Sequence, residues 1–395
     1  MLIRPQGRST RGTVTTPDPI LTATERERVT AALTHAWTLP PRAYTDPAVW
    51  RREADAIFGR DWVCIARADQ VPEPGDYITV DLLDQPVIVI RGDDGTIRAL
   101  SNVCLHRSMP LVSGTGSARW IVCPYHLWSY GRDGALHTAP LMDGAAEFDI
   151  EQCRLPQLAV EEWQGFVFVS MDADAAPLAP RLAPLADRLA PYGLARLVIA
   201  DTIEFDSPWN WKLLVENFME AYHHIGPHRD TFQVSNPAKD SFVADNEGGP
   251  WSLLCMPGVA GPDDPHADGP SDLPLLSGVD PDRVADLLAA CVYPTLLFAV
   301  TGTLATWYEV IAHSHDRMTL RIHLLLEPEV AADAGVVAAL PTIREGLSWI
   351  HGEDIPVNEG PWRGLHAPLA AQGRLSAYEA AIWQFNQYWV ARVDG

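Results

Sequence analysis

Four residues in one short stretch are suited to soft-metal chemistry. Cys104 and His106 are spaced Cys-x-His, and Cys123 and His126 are spaced Cys-x-x-His. Thiolate sulfur and imidazole nitrogen suit zinc or an iron–sulfur cluster. Two Cys and two His can close a zinc tetrahedron, but zinc knuckles usually pair Cys with Cys and, later, His with His. Here each cysteine stands beside its own histidine. That pattern serves two sulfide-bridged irons, one held by both thiolates and the other by both imidazoles. Neutral imidazole in place of anionic thiolate raises the reduction potential, so the implied chemistry is uptake and release of a single electron.

A second constellation lies in "NWKLLVENFMEAYHHIGPHRDTF", which begins at Asn210. A helix over about 209–225 brings Glu216, Glu220 and His223 close together in projection. His228 stands five positions beyond His223, so a continuous helix would separate the two. Gly226-Pro227 breaks the helix, because Gly is permissive and Pro disfavours α geometry in the residue before it. A chain turning there returns His228 beside His223. Two imidazoles plus one carboxylate on one face of a metal form the triad of non-haem Fe(II) oxygenases, with positions open for O₂. His224 reads as a packed neighbour rather than a ligand.

The stretch "CPYHLWSYGRDGAL" after Cys104-Leu105-His106 resembles the Rieske [2Fe–2S] signature. Ser108 and Leu127 stand where that signature usually has Gly. Followed by Glu-x₂-His-x₄-His, the chain from about residue 40 onward resembles the α subunit of Rieske non-haem iron oxygenases, the aromatic-ring-hydroxylating family. The resemblance implies a Rieske [2Fe–2S] cluster on Cys104, His106, Cys123 and His126, and mononuclear Fe(II) on His223 and His228. It implies a third ligand at Asp354, in "SWIHGEDIPVNEGPWRGL", with Glu353, Glu359 and His351 as competitors. Glu220 matches an acid that bridges the neighbouring subunit's cluster histidine to this iron's histidine. Most relatives have Asp there, and Glu resembles the glycine-betaine and carnitine monooxygenase branch. The resemblance further implies a homotrimer in which each cluster serves the adjacent subunit's iron. It also implies an NAD(P)H-dependent flavin/iron–sulfur reductase, with or without a separate ferredoxin. No Gly-x-Gly-x-x-Gly fingerprint occurs, so the nicotinamide and flavin belong to another chain.

The expected reaction hydroxylates a small organic substrate at a C–H bond, including N-methyl hydroxylation followed by demethylation. Ring cis-dihydroxylation is the alternative on the same machinery, and a Rieske electron carrier without oxygenase activity is the alternative of another class. Candidate pocket residues are Phe218, Met219, Phe298, Trp307 and Tyr308, with Trp251 and Met256. Such aromatics can cage a quaternary ammonium or sandwich a ring.

These groups need a scaffold. Between about Asp61 and Ser170 the runs "YITV", "PVIVI", "TIRAL", "WIVC" and "GFVFVS" alternate with glycine-rich turns, which predicts a small antiparallel β domain. Residues 46–60 read as a helix capped by Asp46, and an Ala/Pro-rich connector with a short helix follows Ser170. The second region mixes the 209–225 helix with strands at 295–312 and 317–327. It ends in a helix from Ser376, where Ser376-x-x-Glu379 forms a capping box and Tyr378, Ile382, Phe385 and Trp389 make the apolar face. The stretch 257–283 reads as a long lid-like loop. The expected fold class is α+β: 1–60 an arm and helix, 61–170 the cluster domain, 171–395 a catalytic domain with a helix-backed antiparallel sheet.

Composition bounds partners and compartment. With 47% hydrophobic residues and 14 Trp, 395 residues can bury a substantial core. No apolar run approaches about 18 residues, so no membrane span is expected. The N-terminus is basic (Arg4, Arg8, Arg11) without the apolar core of a signal peptide. A net charge of −22 repels phosphate backbones and argues against nucleic acid. Six scattered cysteines are unlike a secreted disulfide framework, and the expected location is cytoplasmic.

Overall fold

The runs of alternating and continuous apolar residues do become strands. In this computed structural model, which describes residues 19–259 and 273–394, they group into two compact units. The smaller holds Val71–Leu158, and the larger holds Ala23–Gln70 and the chain from Ala159 onward. The Arg4, Arg8 and Arg11 arm and residues 260–272 of the expected lid lie outside the described residues.

In the smaller unit, Thr115–Ser117, Asp76–Leu82, Gln85–Arg91 and Ile97–Ser101 pair antiparallel in that order. The Gly92–Gly95 turn closes one hairpin, with Gly95 at φ +78°, where a glycine carries no steric penalty. A second small sheet joins Ile121–Val122, Ser129–Tyr130 and Leu136–Thr138. Between them lies an apolar core of Ile88, Ile90, Leu100, Ile121, Trp128 and Tyr130, and it also contains Cys104 and Cys123. The thiol-bearing loops are therefore rooted in the core.

In the larger unit, seven described strands form one antiparallel sheet. From one edge they run Val198–Ser207, Arg317–Leu326, Ala305–Ser314, Leu296–Val300, Leu287–Val292, Trp251–Met256 and Phe242–Val243. The expected strand at 295–312 is two strands, because Thr301–Leu304 turns the chain through a Thr301 N–H to Leu304 C=O bond of 2.9 Å. Residues 61–70 and 159–170, expected in the cluster domain, group with this larger unit. The reason is packing: Val63–Arg67 pairs with Phe166–Ser170, and Trp62, Phe166 and Phe168 join Phe298 and Trp307 in one core.

Four helices and one separate helical turn bear on the sites. Pro47–Glu53 starts at Asp46, whose side chain accepts the Ala48 N–H as expected, and continues as a π-turn to Phe58. The expected 209–225 helix is shorter. It runs Trp211–Phe218, capped by Asn210, and a separate one-turn helix covers Tyr222–Ile225. Ala334–Leu365 is a 32-residue helix that tolerates Pro341, Pro356 and Pro361. Ala380–Val393 follows the Ser376/Glu379 capping box, and Ile382, Phe385 and Trp389 are buried, while Tyr378 is 38% exposed. Glu53 ties three of these helices together. Its buried carboxylate accepts Lys212 Nζ at 2.6 Å, Trp389 Nε1 at 2.6 Å and Trp211 Nε1 at 3.1 Å. A buried carboxylate needs such partners to offset its desolvation.

Candidate metal centres

In the smaller unit the two donor loops close alike. The Ser108 N–H bonds to the Cys104 carbonyl and the Leu127 N–H to the Cys123 carbonyl, each at 3.1 Å. Each loop turns through a left-handed residue four places after its cysteine, with Ser108 at φ +54° and Leu127 at φ +59°. L-residues adopt that geometry at a cost, which explains why glycine is usual at both places. The thiols of Cys104 and Cys123 are buried, while His106 is exposed and His126 partly so. His106 Nδ1 and His126 Nδ1 lie 3.2 Å apart, and His106 stacks on Trp128. Buried sulfurs and outward imidazoles, converging from two loops, fit the donor set of a Rieske [2Fe–2S] cluster. Tyr130, which sequence reasoning passed over, places its hydroxyl 3.2 Å from Cys104 Sγ. Hydrogen bonds to cluster sulfur tune the potential. Leu105, Met109, Tyr125 and Leu127, all on these two loops, are exposed apolar residues.

In the larger unit the second constellation is assembled by a broken helix. After Phe218 the chain leaves helical geometry. Glu220 Oε2 then accepts the His223 N–H at 2.9 Å, while its Oε1 meets His223 Nδ1 at 2.6 Å. Gly226-Pro227 ends the short turn, and His228 comes back so that its ring lies 5.0 Å from that of His223. The long helix supplies Asp354. Its Oδ1 is 3.0 Å from His228 Nε2 and 3.6 Å from His223 Nε2. Among the described residues, His223, His228 and Asp354 are the one group of three whose ligand atoms lie within 4.8 Å of one another. Two imidazole nitrogens and a carboxylate fit a mononuclear ferrous ion. Burial works against the Asp354 carboxylate, but His228, His223 and Asn217 outweigh it and hold its pKa below the ordinary value.

The other sequence candidates sort by position. Glu216 does not join His223, because the helix ends between them. Its carboxylate instead accepts the Tyr44 hydroxyl at 2.6 Å. His224 is buried, and desolvation followed by repulsion from His223 pushes its pKa down to about 3, so it is a neutral packed ring. Glu353 faces His228 Nδ1 at 2.7 Å, on the side away from Asp354. His351 is buried against Phe205, and Glu359 is exposed. Of the expected pocket residues, Phe218 and Tyr308 face each other with ring centroids 4.7 Å apart. Asp354 and burial together raise the Tyr308 phenol, burial most. Phe298 and Trp307 are core residues instead, packed on Phe166. Alternation along the strand sends neighbours 307 and 308 to opposite faces. Trp251 belongs to that same core, and Met219 and Met256 are buried.

Comparison with known proteins finds two matching domains in the same order along the chain. Residues 61–153 match the Rieske [2Fe-2S] domain, and residues 194–395 match the ring hydroxylating alpha subunit catalytic domain. The chain is 39% identical over 203 residues to the carnitine monooxygenase oxygenase subunit of Acinetobacter baumannii, covering 51% of this chain and 54% of that one. It is 39% identical over 192 residues to the glycine betaine monooxygenase oxygenase subunit of Chromohalobacter salexigens, covering 48% and 43%. In these matches the chain spans about half the length of the curated relatives. The crystal structure of the quaternary ammonium Rieske monooxygenase CntA bound to an inhibitor superposes with a TM-score of 0.79 at 27% identity, over 93% of this chain and 98% of that one. Naphthalene 1,2-dioxygenase shares the fold at a TM-score of 0.74 and 19% identity, over 94% of this chain and 95% of that one. A Rieske domain followed by a catalytic domain that matches over half the chain makes this protein a member of the family of Rieske ring-hydroxylating oxygenase α subunits.

Proposed function

We propose that this chain is the oxygenase subunit of a multicomponent system that hydroxylates an N-methyl group of a quaternary ammonium acid. The observation that carries the reading is the convergence of His223, His228 and Asp354 in a chain that also holds two Cys/His pairs. The overall reaction takes one O₂, two electrons and two protons and returns one hydroxyl on the substrate and one water. Loss of formaldehyde from the hydroxymethyl product completes demethylation. His223, His228 and Asp354 hold the mononuclear iron, and Cys104, His106, Cys123 and His126 hold the [2Fe–2S] cluster. When bound, the iron supplies the centre at which O₂ is reduced and the C–H bond is attacked.

The chain's own residues do the rest. Glu220 keeps a proton on His223 Nδ1, which leaves Nε2 free as a donor, and its carboxylate is the proposed link to a neighbouring subunit's cluster histidine. Phe218 and Tyr308 supply an aromatic wall near Asp354 that attracts a quaternary ammonium through cation–π contact. The relatives named for carnitine and glycine betaine support that substrate class. The electron source is a separate NAD(P)H-dependent flavin/iron–sulfur reductase, with or without a ferredoxin, and the working assembly is a homotrimer. Cys104 and Cys123 serve the cluster, and Cys64, Cys153, Cys255 and Cys291 stand as unbridged thiols, the usage of a reducing, cytoplasmic setting. Among the described residues no helix is long and apolar enough to cross a membrane.

A surrogate reductase, a panel of trimethylammonium acids and a panel of aromatic acids test the proposal. Substrate-dependent O₂ uptake matched by formaldehyde is expected with the former. A diol carrying two labelled oxygens from ¹⁸O₂ would replace this reading by ring dihydroxylation. Roughly two rather than three irons per chain, with no substrate-dependent uptake, would reduce the protein to an electron carrier.

A further inference from the structure

His228 is gripped on both ring nitrogens by consecutive residues of the Ala334–Leu365 helix. Nε2 lies 3.0 Å from Asp354 Oδ1, and Nδ1 lies 2.7 Å from Glu353 Oε2. The Thr231 hydroxyl donates to that same Glu353 oxygen at 2.9 Å. His228 and Thr231 are each only 1% exposed, so both contacts are made from buried groups. With an ion held among Nε2, Asp354 and His223, the ring proton has its place on Nδ1, where the Glu353 carboxylate accepts it. The lone pair is then left on Nε2, the nitrogen that faces Asp354 and His223. A carboxylate behind an imidazole also makes the opposite nitrogen a stronger donor.

The Glu353 grip differs from the one Glu220 makes on His223. Glu220 reaches a histidine three residues away in its own loop. Glu353 reaches across 125 residues of sequence, from the helix that also carries Asp354. Both edges of the His228 ring are thereby referenced to one rigid element. Sites so built hold their geometry better than sites left to a loop.

We propose that Glu353 is a positioning residue of the mononuclear centre: held by the Thr231 hydroxyl, it fixes the tautomer and ring plane of His228 and sets how tightly the centre keeps its ion. This rests on His223, His228 and Asp354 being the metal-holding set. The test uses full-length protein from which a mild chelator has removed the mononuclear ion while the cluster absorbance stays intact. Anaerobic titration with Fe(II) reads affinity, and titration with Co(II) reads ligand geometry from its ligand-field bands. Glu353→Gln is expected to weaken Fe(II) binding roughly 10- to 100-fold and to shift the Co(II) bands. Thr231→Val should move both readouts the same way by a smaller factor. His228→Ala should lose tight binding altogether. Wild-type affinity and spectrum in Glu353→Gln, alongside loss in His228→Ala, would overturn the positioning role and leave the metal set standing. Undiminished binding in His228→Ala would overturn both. If Glu353→Gln fails to fold, Thr231→Val decides, and an unchanged titration there counts against the proposal.

Discussion

The two cysteine loops place Ser108 and Leu127 at φ +54° and +59°, and the physics of that choice is local. A side chain in the left-handed region costs roughly 1–2 kcal/mol against a right-handed one, and glycine escapes the penalty. Ser108→Gly and Leu127→Gly should therefore each stabilise the cluster-loaded protein by about 1 kcal/mol, read as a higher midpoint for thermal loss of the visible absorbance. No change, or a lower midpoint, would mean that the serine and leucine side chains supply compensating contacts. Residue-scale reading was strongest where donors sit close together in sequence. Cys104 with His106, Cys123 with His126, and Glu220 with His223 are short-range spacings that a sequence displays directly. Glu353 behind His228, Thr231 on Glu353 and Tyr130 on Cys104 depend on contacts between distant segments, and no spacing announces them. Phe298 and Trp307 were misplaced for a related reason: an aromatic on a strand names no face until the partner strands are known.

At the scale of elements, the Trp211–Phe218 helix is fixed by a ladder of charged groups beneath it. Lys212 pairs with Glu53 in full burial, and one turn on Glu216 accepts the Tyr44 hydroxyl. Burial raises the Glu216 carboxyl to about 7. Tyr44 and Lys212 oppose that shift, and Glu379 adds to it. A carboxyl whose pKa is higher folded than unfolded favours the folded state while protonated. Its contribution is whole below the ordinary carboxyl value of 4.5 and is lost as pH rises through about 7. Denaturant unfolding should thus show wild-type stability falling over that window, with a shallower fall in Glu216→Gln. Parallel profiles would show that Glu216 titrates normally. The strong capping signals of Asp46 and Ser376 made two helices legible. The Ala334–Leu365 helix was hidden by its own composition, since three prolines and several glycines read as breaks. Each proline removes one backbone bond, but burial of Ile343, His351 and Asn358 along one side keeps the helix whole. The break after Phe218 escaped notice because Glu-x-x-His spacing suits a continuous helix as well as a capped turn.

For the whole molecule, the two units keep their donor sets separate: four Cys and His residues in Val71–Leu158, and two His with one Asp in the larger unit. If each cluster serves a different copy's iron, defects in the two sets should complement. A variant lacking His106 and a variant lacking His228 should each be inactive alone. Mixed by co-expression, they should recover part of the wild-type turnover, and the assembly should weigh three times 43.4 kDa by sedimentation. Absence of recovery in verified mixed trimers would place electron transfer within one chain. The fold class was legible because a β-rich half and a mixed half differ in periodicity. The family match places Trp62 in the Rieske domain as the sequence does, while Trp62 and Phe166 pack in the larger core, a contact that no sequence spacing displays.

The adjacency of Glu353 and Asp354 has one more consequence. Successive helical positions are turned by about 100°, so these two acids meet opposite edges of one imidazole only in a single rotational setting of the helix. Inserting or deleting one residue between Ile343 and Glu353 would spin both carboxylates off the ring while leaving every side chain chemically intact. This segment should therefore tolerate spelling changes far better than changes of length.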